Sequence, residues 1–113
     1  MARAAIASAS PCLRNTTVSR ASLGAYAGLN PQTAAETGGL SGAPLEAMST
    51  AMVKKIVERT AGKLPVIGVG GISDAASAQR KLDAGAVLVQ VYTGLIYTGP
   101  GLVQQIVKGL KPD

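Results

Sequence analysis

An α/β fold of parallel strands joined by helices is predicted by three features of this 113-residue chain. An unbroken apolar run at 64–69 and a second at 87–92, interrupted only by Gln90, read as strands buried on both faces, the pattern of a parallel sheet. Each run ends in a small-residue turn, and the segments between and after them carry apolar residues at helical spacing. The composition agrees: 47% hydrophobic, only 3% aromatic and 14 glycines suit close helix–strand packing, not a sandwich with an aromatic core.

In chain order, residues 1–14 show no clean period and read as a tail or irregular entry. Residues 15–44 read as loop, punctuated by Asn30-Pro31 and Gly38-Gly39 and closed by Gly42-Ala43-Pro44. Loops of that length in a small domain carry function more often than filler. A helix follows, capped by Ser49 or Thr50, with Met52, Val53, Ile56 and Val57 as its apolar stripe and Gly62 as its end. After the strand at 64–69, a second helix is predicted from Asp74 to Ala84, with Ala75, Ala78 and Leu82 inward and Gly85 as its stop. The strand at 87–92 comes next. A last helix, after Gly99-Pro100-Gly101, presents Leu102, Val103, Ile106, Val107 and Leu110. Two parallel strands leave both sheet edges open, so the chain reads as a piece of a larger fold, a doubly wound sheet or a (β/α)8 barrel.

The net charge of +5 raises nucleic acid as a partner. However, Lys54, Lys55, Arg59, Lys63, Arg80, Lys81, Lys108 and Lys111 are scattered over the predicted outer faces of three helices, with no aromatic platform among them. Solvated helix faces are the better reading, and no nucleic acid is expected. Cys12 is the single cysteine and histidine is absent, so neither an internal disulfide nor a metal site is expected. No apolar run approaches the ~20 residues of a membrane helix. The first 35 residues lack acids and carry Arg3, Arg14 and Arg20 among Ala and Ser, weakly like a mitochondrial targeting segment. An unrelated start joined to the chain is the preferred reading of residues 1–14.

The chemistry concentrates in the turns. Gly68-Val69-Gly70-Gly71 is not a dinucleotide fingerprint, because the third glycine of that motif would fall at Ser73. Gly70 and Gly71 instead offer bare backbone and freedom at positive φ, which lets successive N–H groups point at one anion. The helix starting near Ser73 or Asp74 would add its N-terminal partial charge there. Tyr92-Thr93-Gly94, at the next strand end, strengthens a phosphate reading, because barrels often hold phosphate with the loops after their last strands. Against it stand a plain strand-to-helix turn and an ordinary rim aromatic. Asn15-Thr16-Thr17 supplies an amide and two hydroxyls suited to a polar planar ligand, or simply makes a turn. Residues 37–42 are a second flexible polar segment.

Together these segments resemble one family, the class 2, quinone-linked dihydroorotate dehydrogenases. The resemblance rests on Asn15-Thr-Thr-Val-Ser-Arg20, Glu36-Thr-Gly-Gly-Leu-Ser-Gly-Ala-Pro-Leu45, Leu64-Pro-Val-Ile-Gly-Val-Gly-Gly71, Leu88-Val-Gln-Val-Tyr-Thr93 and Gly99-Pro100. They stand in the family's order and spacing, from residue 15 to about residue 110. The resemblance implies the last βα units of a (β/α)8 barrel over residues 15–113, an incomplete barrel in this chain, with 1–14 outside the match. It implies that Asn15 and Thr16 bind dihydroorotate or orotate. It implies that Gly42, Gly70, Gly71, Tyr92 and Thr93 hold FMN, the last four around its phosphate.

The implied activity is oxidation of dihydroorotate to orotate in pyrimidine (UMP) synthesis, with the flavin reoxidised by a quinone. Peripheral association with a bacterial cytoplasmic membrane or the mitochondrial inner membrane is implied for the full-length protein. The family's catalytic serine and its supporting lysines lie upstream of the matched segments, so no catalytic residue is assigned here. Ser19 and Ser41 belong to other motifs. Where the family has a small residue touching the flavin, this chain has Arg14. A C-terminal piece of such an enzyme, inactive alone, is the resulting expectation. Two alternatives are a quarter-barrel serving only as an assembly partner, and another FMN-binding barrel oxidoreductase.

Overall fold

The structure, a computed structural model, describes residues 18–19, 32 and 39–111. Strands β1 (Val18–Ser19) and β2 (Gly39–Leu40) pair antiparallel, Val18 opposite Leu40 and Ser19 opposite Gly39. This short ladder lies within a stretch whose sequence reads as loop. Two residues per strand are too few to show alternation.

A 3-10 turn at Ala43–Leu45 leads directly into helix α1 (Glu46–Arg59). Neither Ser49 nor Thr50 caps it, contrary to expectation: the helix begins three residues before Ser49, which is buried inside it. Pro44 in the 3-10 turn and the acid Glu46 in the first helical turn are the signals that set the earlier start. The helix ends at Thr60, followed by Ala61 (φ +50°) and Gly62 (φ +70°), whose N–H donates to the Val57 carbonyl at 2.9 Å.

Strands β3 (Ile67–Val69) and β4 (Leu88–Gln90) form a parallel pair with Ile67 opposite Leu88, Gly68 opposite Val89 and Val69 opposite Gln90. Both are shorter than the apolar runs that predict them. Helices cover the Gly68 and Val89 side: Gly68 backs onto Lys81, and Val89 packs on a buried cluster. The opposite side is open, with Ile67 56% and Leu88 61% exposed. The expected burial of both faces is therefore corrected: among the described residues one side of the pair has no cover, which is the side that points inward when a sheet of this kind closes into a barrel.

Helix α2 (Ala75–Asp83) connects the two strands, and α3 (Thr93–Thr98) and α4 (Gly101–Gly109) follow β4. The short α3 is absent from the sequence-based order. Leu102 and Ile106 of α4 bury against Ile72 and Ala78, with Val89, Val91, Leu95 and Leu110 packed around them. Each buried Leu or Ile of this cluster contributes roughly 1.5–3 kcal/mol. Val103 and Val107, expected on the same face, are exposed. A second cluster, Val53, Val66 and Ala86 with Ile56, Val57 and Ala84, fastens α1 to the strands. No helix among the described residues is long and apolar enough to cross a membrane.

Candidate functional site

The carboxyl ends of β3 and β4 open into a cavity of about 420 Å³. Three segments wall it. Residues 40–44 come from β2 and the 3-10 turn, residues 69–73 from the turn after β3, and Gln90 with Tyr92–Gly94, Tyr97 and Thr98 from the end of β4 and α3. Five of the seven sequence-predicted site residues, Gly42, Gly70, Gly71, Tyr92 and Thr93, thus meet at one place. Asn15 and Thr16 lie outside the described residues. Tyr97, Thr98 and Ser73 also line the cavity and escape the sequence reading, Tyr97 and Thr98 because α3 is not foreseen.

Backbone geometry explains the glycines. Gly70 and Gly71 have consecutive positive φ values of +99° and +74°. Only glycine adopts two such values in succession without strain, and neither residue has a side chain to cover its backbone N–H. Among the described residues, the Gly71 N–H has no hydrogen-bond acceptor. Gly71 is also a packing glycine, since a Cβ there would run into the backbone N and Cα of Glu46. Gly94 likewise permits a close approach, because a Cβ would meet the Ile72 carbonyl oxygen. Gly42 (φ +90°) faces Thr93, whose Cγ2 would lie 3.5 Å from an added Cβ. Glycines therefore draw the three walls together as well as baring their backbone.

The helix after the glycine turn does not contribute as expected. Asp74 caps α2: its carboxylate accepts from the Ser77 N–H at 2.7 Å, and the Ser77 hydroxyl oxygen accepts from the N–H groups of Asp74 and Ser73, each at 3.1 Å. The N-terminal partial charge of α2 is taken up by its own carboxylate. The Ser77 backbone bond, then its side-chain bond, holds the Asp74 carboxyl below the usual carboxylate range. Among the described residues, N–H groups without an acceptor come instead from the glycine turn and from the first turn of α3, at Gly71, Thr93 and Gly94.

Electrostatically the cavity is blank. None of its described lining residues is charged, while Ser41, Ser73, Thr93 and Thr98 bring hydroxyls. Behind the glycine turn lies a charge the sequence reading misplaced. Lys81, expected on a solvated helix face, is fully buried. Its Nζ donates to the Glu46 carbonyl at 3.0 Å, to Ser49 Oγ at 2.6 Å and to Thr50 Oγ1 at 2.5 Å. Desolvation is the main cause that lowers its pKa, with nearby Glu46 opposing and Arg80 adding to it. Arg80 holds the Glu46 carboxylate at 2.8 Å on the exposed side. Helical spacing was the available signal, because Lys81 follows the buried Ala78 by three residues.

The family model for dihydroorotate dehydrogenase matches residues 8–112. Over 96 residues the chain is 53% identical to a dihydroorotate dehydrogenase (quinone) of Anaeromyxobacter dehalogenans strain 2CP-C, covering 85% of this chain and 25% of that protein. A protein of the same description from Cyanothece sp. strain PCC 7425 is 50% identical over 103 residues, covering 88% of this chain and 27% of its own length. The crystal structure of DHODH from Eimeria tenella in complex with ferulenol superposes with a TM-score of 0.67 at 42% identity, covering 70% of this chain and 21% of that one. The chain thus spans about a quarter of the length of the curated relatives it matches.

Proposed function

The chain belongs to the dihydroorotate dehydrogenase family, and we propose that it supplies the flavin-phosphate side and part of the substrate side of a quinone-linked dihydroorotate dehydrogenase. Its fold is α/β, the βα units of that family's (β/α)8 barrel. One observation carries the functional reading. Gly42, Gly70-Gly71 and Tyr92-Thr93, far apart in sequence, converge on one cavity at the carboxyl ends of parallel strands, where barrels place their sites.

The residues fit FMN. A phosphate needs donors and no carboxylate nearby, and among the described residues the cavity has bare glycine backbone, a Gly71 N–H without an acceptor, hydroxyls and no charged lining residue. In this reading Gly70, Gly71 and Thr93 hold the phosphate with backbone N–H groups, and the Thr93 hydroxyl adds a further donor. Tyr92, 69% exposed, stands at the rim beside it. Gly42, without a side chain, leaves room beside the isoalloxazine. Asn15 and Thr16, shortly before β1, orient dihydroorotate or orotate through an amide and a hydroxyl. FMN held there would supply the redox chemistry of the proposed dihydroorotate oxidation, with a quinone as the proposed final electron acceptor. The protein's part is to bind and orient, and none of the residues assigned here removes the substrate proton.

The proposed place of the reaction is pyrimidine (UMP) biosynthesis. Because the proposed acceptor is lipid-soluble, the proposal includes peripheral association of the full-length enzyme with a bacterial cytoplasmic membrane or the mitochondrial inner membrane. The test compares FMN with riboflavin, which differ only in the phosphate, by quenching of flavin fluorescence. FMN is expected to bind at least about tenfold more tightly, the worth of one or two charge-assisted hydrogen bonds. Equal affinities would overturn the phosphate assignment.

A further inference from the structure

We propose that Lys81 is a positioning residue for the anion cradle, its buried ammonium acting through Ser49 to lock the Gly70–Gly71 turn in its ligand-receiving form. The proposal deepens the flavin-phosphate reading and rests on it.

The geometry begins with the lysine stem. It crosses Gly68 of β3, where an added Cβ would come within 3.1 Å of Lys81 Cβ and Cδ. The missing side chain at Gly68 is what makes the passage, and it delivers the ammonium to the first turn of α1. There Nζ has three N–H donors and three acceptors: the Glu46 carbonyl, Ser49 Oγ and Thr50 Oγ1. A buried cation needs such complete satisfaction. Yet among the described residues no carboxylate bonds it directly, and Glu46 Oε1 accepts from Arg80 Nε. For stability alone an apolar side chain of similar length would serve as well or better. A specific role for the charge is the remaining explanation.

That role follows from the direction of the hydrogen bonds. Lys81 occupies a lone pair of Ser49 Oγ, so the hydroxyl must send its single proton elsewhere. Its shorter acceptor is the Gly70 carbonyl at 2.8 Å, against 3.2 Å for the Glu46 carbonyl. The relay therefore runs from Nζ–H to Oγ–H to the Gly70 oxygen. In a trans peptide the carbonyl of one residue and the N–H of the next point in opposite directions. Fixing the Gly70 carbonyl toward α1 turns the Gly71 N–H away from α1, and it has no acceptor among the described residues. Two glycines at positive φ are otherwise the easiest place for that peptide to rotate. The relay removes this freedom before the ligand arrives, which is preorganisation.

The experiment uses Lys81→Met, which fills the passage over Gly68 without a charge, and Ser49→Ala, which breaks the relay one step later. Affinities for FMN and riboflavin are measured on the full chain and on each variant. Both variants are expected to lose about tenfold in FMN affinity with less than about a twofold change for riboflavin. The double variant should lose no more than either alone, as members of one relay do. Parallel weakening of FMN and riboflavin, or unchanged FMN binding, would overturn the proposal. If Lys81→Met fails to fold by circular dichroism, Ser49→Ala carries the test, because it keeps the lysine bonded to Glu46 and Thr50. If the unaltered chain does not prefer FMN, the flavin-phosphate reading fails by itself. Amide hydrogen exchange then decides the lock separately: faster exchange at Gly71 in Ser49→Ala supports it, and unchanged exchange refutes it.

Discussion

Replacing Gly71 by alanine separates the two reasons for a glycine there. Its φ of +74° strains any side chain, at roughly 1–2 kcal/mol. In addition, the new Cβ would run into the N and Cα of Glu46, which are backbone and cannot swing aside. Moving the start of α1 to make room adds about 1–3 kcal/mol, the usual cost of overpacking. The sum is about 2–5 kcal/mol. Gly62→Ala is the control, since Gly62 has a similar φ of +70° but nothing within 4 Å of an added Cβ. It should cost the strain alone, roughly 1–2 kcal/mol. Urea unfolding followed by circular dichroism, with thermal midpoints as a second reading, measures both. Each kcal/mol lowers the midpoint of a domain this size by about 4–8 °C. Equal losses for the two variants would refute the close approach of α1 to the glycine turn, and with it the cavity wall drawn from that approach.

Three further outcomes are expected. Asp74→Ala should cost about 1 kcal/mol through loss of the α2 cap, whereas Asp74→Asn should cost little. The folded Asp74 carboxyl titrates below its unfolded value of 3.8, so its contribution is present above that value and is lost as pH falls through the lower, folded one. The unaltered chain should therefore lose stability in acid faster than Asp74→Asn, as urea midpoints between about pH 5 and pH 2 would show. Thr93→Val keeps the methyl that faces Gly42 and removes the hydroxyl, so FMN affinity should fall about threefold to tenfold with riboflavin unaffected. The 113-residue chain supplied with FMN, dihydroorotate and a quinone should show no turnover in a dye-coupled assay, because the described hydroxyls lining its cavity have no basic partner among the described residues.

Local signals were legible in the sequence and distant ones were not. The Asp74 start, the Gly62 and Gly85 stops and the glycine turn after β3 each depend on a few adjacent residues, so the pattern alone announces them. The pairing of residues 70–71 with 92–93 is legible from two successive strand ends that read as barrel phosphate turns, whereas residue 42 joins them only through family resemblance, because nothing in its turn reveals which other turn it faces. Lys81 was misread because a lysine on a helix is ordinarily solvated, and its burial depends on a gap at Gly68 and acceptors 31 to 35 residues away. Helix α3 was missed because Thr93–Thr98 mixes β-branched, glycine and aromatic residues of modest helix propensity. The apolar runs overstate the strands' cover: Ile67 and Leu88 lie on the sheet side away from the helices, which is bare among the described residues.

The proposed flavin site joins the glycine turn after β3 and the first residues of α3 into one phosphate cradle. Mapping amide resonances while titrating the ¹⁵N-labelled chain with FMN tests it most directly. Saturable shifts centred on Gly70, Gly71, Thr93 and Gly94 are expected, with riboflavin leaving Gly70 and Gly71 unmoved. Shifts confined instead to the exposed basic face of α1, at Lys54, Lys55 and Arg59, would contradict it and mark the flavin phosphate as a nonspecific counterion.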